Sequence, residues 1–154
     1  VYVSKSKKYK IHSSVKKILN YEKKFLTKKT FDKFKNDVVS SKINLYSLLK
    51  NLKKKNKLIF GVGAPSRAAT LVNYVGLNED IIKYILEIKG SHKIGKYMPG
   101  TNIPIVDEKI INKYKPDYLL LLSWHISKDL IKNFKKRGFK GKFIVPLPNP
   151  HIIS

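Results

Sequence analysis

The chain has 154 residues, and its 42% hydrophobic content suffices for a buried core, which excludes a chain that is disordered by composition. Its formal net charge is +23, from 33 Lys and Arg against 10 Asp and Glu, so nucleic acids and phosphate-bearing ligands are partners to consider. The absence of cysteine excludes disulfides and thiolate zinc sites. Because no apolar run reaches the length of a membrane-spanning helix and the lysine-rich start is unlike a secretory signal, we expect a cytoplasmic protein with no membrane partner.

The positive charge lacks the pattern of a protein that reads nucleic-acid sequence. The excess is almost entirely lysine and is spread along the chain, whereas arginine occurs only at Arg67 and Arg137. Direct readout of bases favours arginine, asparagine and glutamine, and the sequence has no arginine-rich helix. Nucleic-acid binding is therefore an alternative and not the favoured function.

Residues 1–56 are predicted to form a helical arm. Residues 1–3 resemble a strand end without a nearby partner, so we expect the arm to connect to an upstream catalytic region that is missing from this chain. Ser13 or Ser14 is expected to cap a first helix, and Thr30 a second, longer helix that ends near Asn56. The second helix carries an apolar stripe at near-helical spacing: Phe31, Phe34, Val38, Leu45, Leu48, Leu49 and Leu52. This stripe can pack on the following domain, dock a preceding domain, or do both.

A strand, a glycine turn and a helix follow the arm. Residues 58–60 are apolar and few, as in a buried strand, and Gly61 and Gly63 permit a tight turn. Pro65 suits the first turn of a helix, which we predict over residues 66–74. Such a turn directs unpaired backbone N–H groups toward a phosphate. The pattern G-x-G-x-x-S has a serine in place of the third glycine of the dinucleotide fingerprint, so a tight turn without a ligand is the alternative.

The rest of the chain alternates predicted strands and helices. Strands are expected at residues 81–88, 103–106, 117–122 and 142–145, and helices at residues 107–113 and 127–136. This alternation predicts that residues 57–154 form a Rossmann-like α/β domain, with a mainly parallel sheet and helices on both faces. Ligands of such sheets bind beyond the carboxyl ends of the strands.

Residues that follow the predicted strands are the candidates for a substrate-binding site. They are Gly61, Gly63, Ala64, Pro65, Ser66, Arg67, Glu87, Tyr97, Trp124 and His125. Arg67 is suited to clamp a phosphate, and Glu87 to grip a ribose hydroxyl. Trp124 offers a stacking face and His125 a hydrogen bond, although each of these side chains can instead have a packing, capping or solvated role. No base is paired with a nucleophile or a metal, so we assign neither a catalytic residue nor a metal site.

Four segments carry a resemblance to a known family. They are GVGAPSRAATLVNY at residues 61–74, GKYMPGTNIPI at residues 95–105, the run from DY at residue 117 through Trp124, and FIVP at residues 143–146. In this order they resemble the C-terminal domain of the S-adenosylmethionine-dependent nucleotide-sugar (deoxysugar) C-methyltransferases. The chain departs from that family at Ala69, Asn102 and Ser123, where asparagine, histidine and proline are frequent.

The resemblance implies an enzyme of three parts that methylates a ring carbon of a nucleotide-linked deoxysugar. In that family a zinc-binding domain and a central methyl-donor domain come first, and the nucleotide-sugar lies between the central and C-terminal domains. The chain would then be the substrate-binding C-terminal domain, with a nucleotide diphosphate-sugar and the upstream methyltransferase domains as its partners. S-adenosylmethionine and zinc would belong to the full-length enzyme, no cofactor to this chain, and the isolated chain would be inactive. The loop at residues 95–101, with Tyr97, would close over the ligand.

Two other functions stay open. A free-standing dinucleotide-binding oxidoreductase of the NAD type would share the glycine turn, but it needs a catalytic residue and a substrate domain that the helical arm does not offer. A basic nucleic-acid-binding protein is the third, less favoured function.

Overall fold

The structure is a computed structural model that describes residues 3–6 and 9–154. The chain divides into two compact units, Val1–Val38 and Val39–Ser154. Of the strand end expected at residues 1–3, only Val3 is described, and it is not part of a strand. Within the described ranges, no helix combines the length and the apolar character needed to cross a bilayer.

The two helices expected before the sheet are present. They are α1 (Ser13–Phe25) and α2 (Lys28–Lys54). The cap of α1 is His12, whose Nδ1 accepts from the backbone N–H of Ser14 at 3.3 Å. The Oγ1 of Thr27 accepts from the backbone N–H of Thr30 at 3.3 Å, so Thr30 lies inside α2 and was wrongly predicted as its cap. In both cases an acceptor placed further upstream satisfies the free N–H groups of the first turn.

Six strands form one sheet in the order β3-β2-β1-β4-β5-β6. They are β1 (Ile59–Val62), β2 (Ile85–Glu87), β3 (Ile105–Asp107), β4 (Tyr118–Leu121), β5 (Lys142–Val145) and β6 (His151–Ile153). All neighbours pair in parallel except β6, which is antiparallel to β5. This is the strand order of a dinucleotide-binding Rossmann sheet, and it confirms the predicted fold class.

Helices cover both faces of the sheet, as predicted. The remaining helices are α3 (Ser66–Val75), α4 (Ile111–Tyr114) and α5 (Ser127–Lys136), with single 3-10 turns at Glu108–Ile110 and Trp124–Ile126. On one face, α2 and α3 pack on alternate strand residues through side chains such as Leu45 and Val72. On the other face, Ile111 of α4 and Phe134 of α5 pack with Phe60. Because both faces of the sheet are buried, the sequences of the central strands are continuous apolar runs.

The structure differs from the predicted elements in several places. The second strand was expected over residues 81–88, but Ile81 and Ile82 lie in a buried turn before β2. The first strand continues through Gly61 to Val62, so Gly61 belongs to the strand and not to the turn. The strand β6 was not predicted, because a short segment behind three prolines gives no periodic signal. The segment at residues 88–104, between β2 and β3, contains no helix.

Candidate functional site

The glycine turn connects β1 to α3 at the point where the strand order reverses, between β1 and β4. Gly63 has φ +82°, a left-handed conformation that favours glycine. Pro65 stands at the N-cap of α3 with φ −69° and ψ 157°, one position earlier than a first-turn proline, and its carbonyl accepts from the N–H of Ala68 at 2.8 Å. The backbone N–H groups of Ser66 and Arg67 have no acceptor within the described part of the chain. Two donors at the positive end of the α3 dipole are therefore free for an anion.

Gly61 has a packing role in the strand. A Cβ added there would lie 3.0 Å from the Cγ1 of Ile85 and 3.0 Å from the Cδ1 of Leu122. The side chains of the neighbouring strands fill this space, so a larger residue would push β1 away from them. The motif thus uses its first glycine for sheet packing and its second for the turn.

Glu87 ends β2, as predicted, and its carboxylate reaches the turn. Its Oε1 accepts from the backbone N–H of Ala64 at 2.6 Å, and the Nζ of Lys93 lies 3.5 Å from the same oxygen. The side chain of Glu87 is only 12% exposed. One carboxylate oxygen therefore fixes the turn, while the other has no partner among the described residues.

The segment that follows β4 lies against the other side of the glycine turn. A Cβ on Gly63 would lie 2.6 Å from the Oγ of Ser123, so the backbone of the turn passes directly beside this serine. Trp124 is half-buried and packs against the cores on both faces of the sheet, which leaves less of its ring for stacking. His125 and Arg67 are exposed, and within the described ranges neither side chain makes a hydrogen bond, an ion pair or a ring contact.

The segment with Tyr97 is anchored rather than free. The side-chain amide of Asn73 on α3 donates to the carbonyl of Pro99 at 2.8 Å, and Gly100 packs so closely on Asn73 that it has no room for a Cβ. Met98 is buried in the core. Tyr97 itself is 61% exposed, and no contact described in this structure joins it to the turn. These contacts favour a fixed rim over the predicted closing loop.

The structure therefore brings together the turn, Glu87 and the start of the segment after β4, and leaves Tyr97 apart. Lys93, Ser123 and Asn73 belong to the surroundings of the turn and were not predicted as site residues. Asn73 and Ser123 lie within the matching motifs, whereas no local pattern marks Lys93. Among the described residues, no group of three or more histidine or acidic side chains is gathered in a way that could hold a metal ion.

A mainly parallel sheet of this order, with a glycine turn and an acidic residue at its switch point, defines a Rossmann-like α/β domain. Residues 1–148 match the family model described as C-methyltransferase C-terminal domain, and the chain belongs to this family. It is also 34% identical over 110 residues to the C-methyltransferase NovU of Streptomyces niveus, an alignment that covers 70% of this chain and 26% of that protein. The chain thus spans about a quarter of the length of this curated relative. The predicted link to C-methyltransferases is confirmed.

Proposed function

We propose that residues 57–154 bind the nucleotide diphosphate-sugar on which a C-methyltransferase acts and hold it for methyl transfer by domains outside this chain. The observation that carries the proposal is the turn at the switch point: Glu87 accepts from the backbone N–H of Ala64, and the N–H groups of Ser66 and Arg67 that follow have no acceptor among the described residues. In open α/β sheets, ligands bind in this crevice. The family membership supports C-methyl transfer as the reaction class. The resemblance of the four sequence segments supports a nucleotide-linked sugar as the substrate.

The diphosphate is assigned to the first turn of α3. The N–H groups of Ser66 and Arg67 can donate to its oxygens, and the exposed guanidinium of Arg67 can clamp it from the solvent side. The unpaired oxygen of Glu87 can accept a hydroxyl of the ribose or the sugar. The strongly basic surface would raise the local concentration of any anionic ligand.

Trp124, His125 and Tyr97 are assigned to the rim of the site. The exposed part of the Trp124 ring offers a stacking surface for a base or a sugar, and His125 offers a hydrogen bond. Tyr97 would meet only a ligand that extends beyond the turn, because the loop that carries it is anchored to α3.

The chemistry of methyl transfer is assigned to other parts of the enzyme. The site pairs no base with a nucleophile, so this chain positions its ligand and supplies no catalytic residue. S-adenosylmethionine would donate the methyl group in the full-length enzyme, and zinc would belong to its other domains. We expect the isolated chain, which we place in the cytoplasm, to bind the nucleotide-sugar without turnover.

The helical arm, residues 1–56, is proposed to dock the methyl-donor domains. The side chains of Ile18, Leu19, Phe31 and Phe34 are all more than half exposed, and lysines outnumber acidic residues around them. Apolar side chains with a basic rim suit an apolar patch with an acidic rim. A second copy of this chain fits less well, because its arm would bring the same excess of lysine.

Calorimetric titration of the chain with TDP-glucose and UDP-glucose tests the binding function. We expect saturable binding, no binding of NAD, and a loss of about tenfold in affinity for Arg67→Gln. Lys132→Gln removes an exposed charge on α5 and serves as the matched control.

Binding of NAD in place of the nucleotide-sugars would favour the oxidoreductase alternative, and salt-sensitive binding of DNA alone would favour the nucleic-acid alternative. Absence of binding to both nucleotide-sugars would contradict the proposal.

A further inference from the structure

The carboxylate of Glu87 lies in the very turn that is assigned to an anion. Its Oε1 is 2.6 Å from the backbone nitrogen of Ala64, and Ala64 directly follows Gly63 in the turn. A carboxylate that accepts from a backbone N–H in a largely buried place holds that segment of backbone firmly. The same negative charge, however, would repel a diphosphate bound at Ser66 and Arg67, two and three residues after Ala64 in the chain.

Lys93 lies where its positive charge can offset the repulsion between Glu87 and a diphosphate. Its Nζ lies 3.5 Å from the same Oε1, and it reaches Glu87 from the loop after β2. Its side chain is 35% exposed, so the ammonium faces both the carboxylate and the solvent of the crevice. An ion pair of this kind leaves the Glu87–Ala64 hydrogen bond in place and cancels most of the local negative field.

We propose that Glu87 is a positioning residue that holds the turn through the N–H of Ala64, and that Lys93 neutralises Glu87 so that a diphosphate can bind beside it. This inference rests on the proposed function, because it concerns the same site. It gives Glu87 a role in the free protein, before any hydroxyl is bound. It also assigns to Lys93 a part in ligand affinity that no motif indicates.

The neutralising role of Lys93 is tested by calorimetry with inorganic pyrophosphate and with TDP-glucose. We expect Lys93→Gln to weaken the binding of both probes about tenfold at low ionic strength, and less in high salt. Lys89→Gln, which removes an exposed lysine without an ion pair from the same loop, is the control and should change affinity by less than about twofold. In the double variant Lys93→Gln/Glu87→Gln, binding of pyrophosphate, which has no hydroxyl for Glu87 to accept, should return to within about threefold of the wild type, because the charge that Lys93 opposes is gone.

The positioning role of Glu87 is tested by amide hydrogen exchange in the free protein. We expect Glu87→Leu to speed exchange at Ala64 by at least about tenfold, whereas Glu87→Gln, which keeps an acceptor, should stay within about threefold of the wild type. Lys93→Gln should leave the exchange rate of Ala64 nearly unchanged while it lowers affinity. A purely structural role of the ion pair would move both readouts together.

The outcomes separate this inference from the proposed function. If pyrophosphate binds in a Lys93-dependent way and TDP-glucose does not bind, the inference is upheld and the proposal of a nucleotide-sugar ligand is overturned. Equal effects of Lys93→Gln and Lys89→Gln, or no binding of either probe to the wild type, would overturn the neutralising role. Unchanged exchange at Ala64 in Glu87→Leu would overturn the positioning role.

Discussion

The backbone of Gly63 passes so close to Ser123 that a Cβ on the glycine would lie 2.6 Å from the serine Oγ. The two residues follow β1 and β4, the neighbouring strands at which the order of the sheet reverses. The crevice of a Rossmann-like sheet opens at this point. The close approach therefore leaves no room for a side chain at position 63 unless the hydroxyl of Ser123 moves.

Replacing Gly63 by alanine is expected to cost mainly backbone strain. Its φ of +82° is unfavourable for any residue with a Cβ, and we expect a loss of about 1–2 kcal/mol in the free energy of unfolding. The contact with Ser123 should add little, because the serine hydroxyl can rotate away. Gly138→Ala is the control, since Gly138 has φ +85° and nothing within 4 Å of an added Cβ. Urea denaturation measures both, and a much larger loss at Gly63 than at Gly138 would show that Ser123 cannot move.

Asp117 is expected to make stability depend on pH in the acid range. It accepts from the backbone N–H of Leu58 and from the Nζ of Lys57, both at 2.9 Å, and chiefly the bond from Leu58 lowers its pKa below the ordinary aspartate value. A lowered pKa in the folded state contributes stability that is present above the unfolded pKa, near about 3.9, and is lost as the pH falls through the folded pKa.

The variant Asp117→Asn keeps an acceptor and removes the charge. It should be less stable than the wild type at neutral pH, and the two unfolding curves should converge as the pH falls below that window, as measured by urea denaturation at a series of pH values. Asp32→Asn, at an exposed position on α2 with no side-chain partner in the described ranges, should leave the pH dependence unchanged. A constant difference between Asp117→Asn and the wild type down to strongly acid pH would contradict this account.

Asn73 is expected to hold the segment that carries Tyr97. Its amide donates to the carbonyls of Pro99 and Ala69, and we expect Asn73→Ala to cost about 1–3 kcal/mol, the usual net value of two hydrogen bonds. The effect should be local, with faster amide exchange at Met98 and little change at the central strands. Asn112→Ala, on the exposed face of α4, is the control. Unchanged exchange at Met98 would mean that burial of its side chain alone anchors the segment.

The parts of the fold that could be predicted are those with a local physical signal. The helix α3 was predicted because a glycine turn and a proline mark its start, and β5 because an apolar run ends at a proline. Ile81 and Ile82 were misassigned to a strand, because a buried turn and a buried strand have the same composition. The ion pair of Lys93 with Glu87 could not be predicted from the sequence, because it depends on the path of a loop that has no periodic sequence pattern.

The apolar stripe of α2 is expected to divide into a buried and an exposed part. Leu45 is fully buried on the sheet, whereas Phe34, three turns earlier by helical spacing, is 65% exposed. Leu45→Ala should therefore lower the free energy of unfolding by about 2–5 kcal/mol, and Phe34→Ala by less than about 0.5 kcal/mol. Leu49→Ala, at a second fully buried position, should resemble Leu45→Ala.

A cost at Phe34 as large as at Leu45, growing with protein concentration, would mean that a second copy covers the arm. Equal costs at every concentration would instead place Phe34 in the core of its own chain. The exposed surface would then be absent, and this result would contradict the proposed docking of the methyl-donor domains.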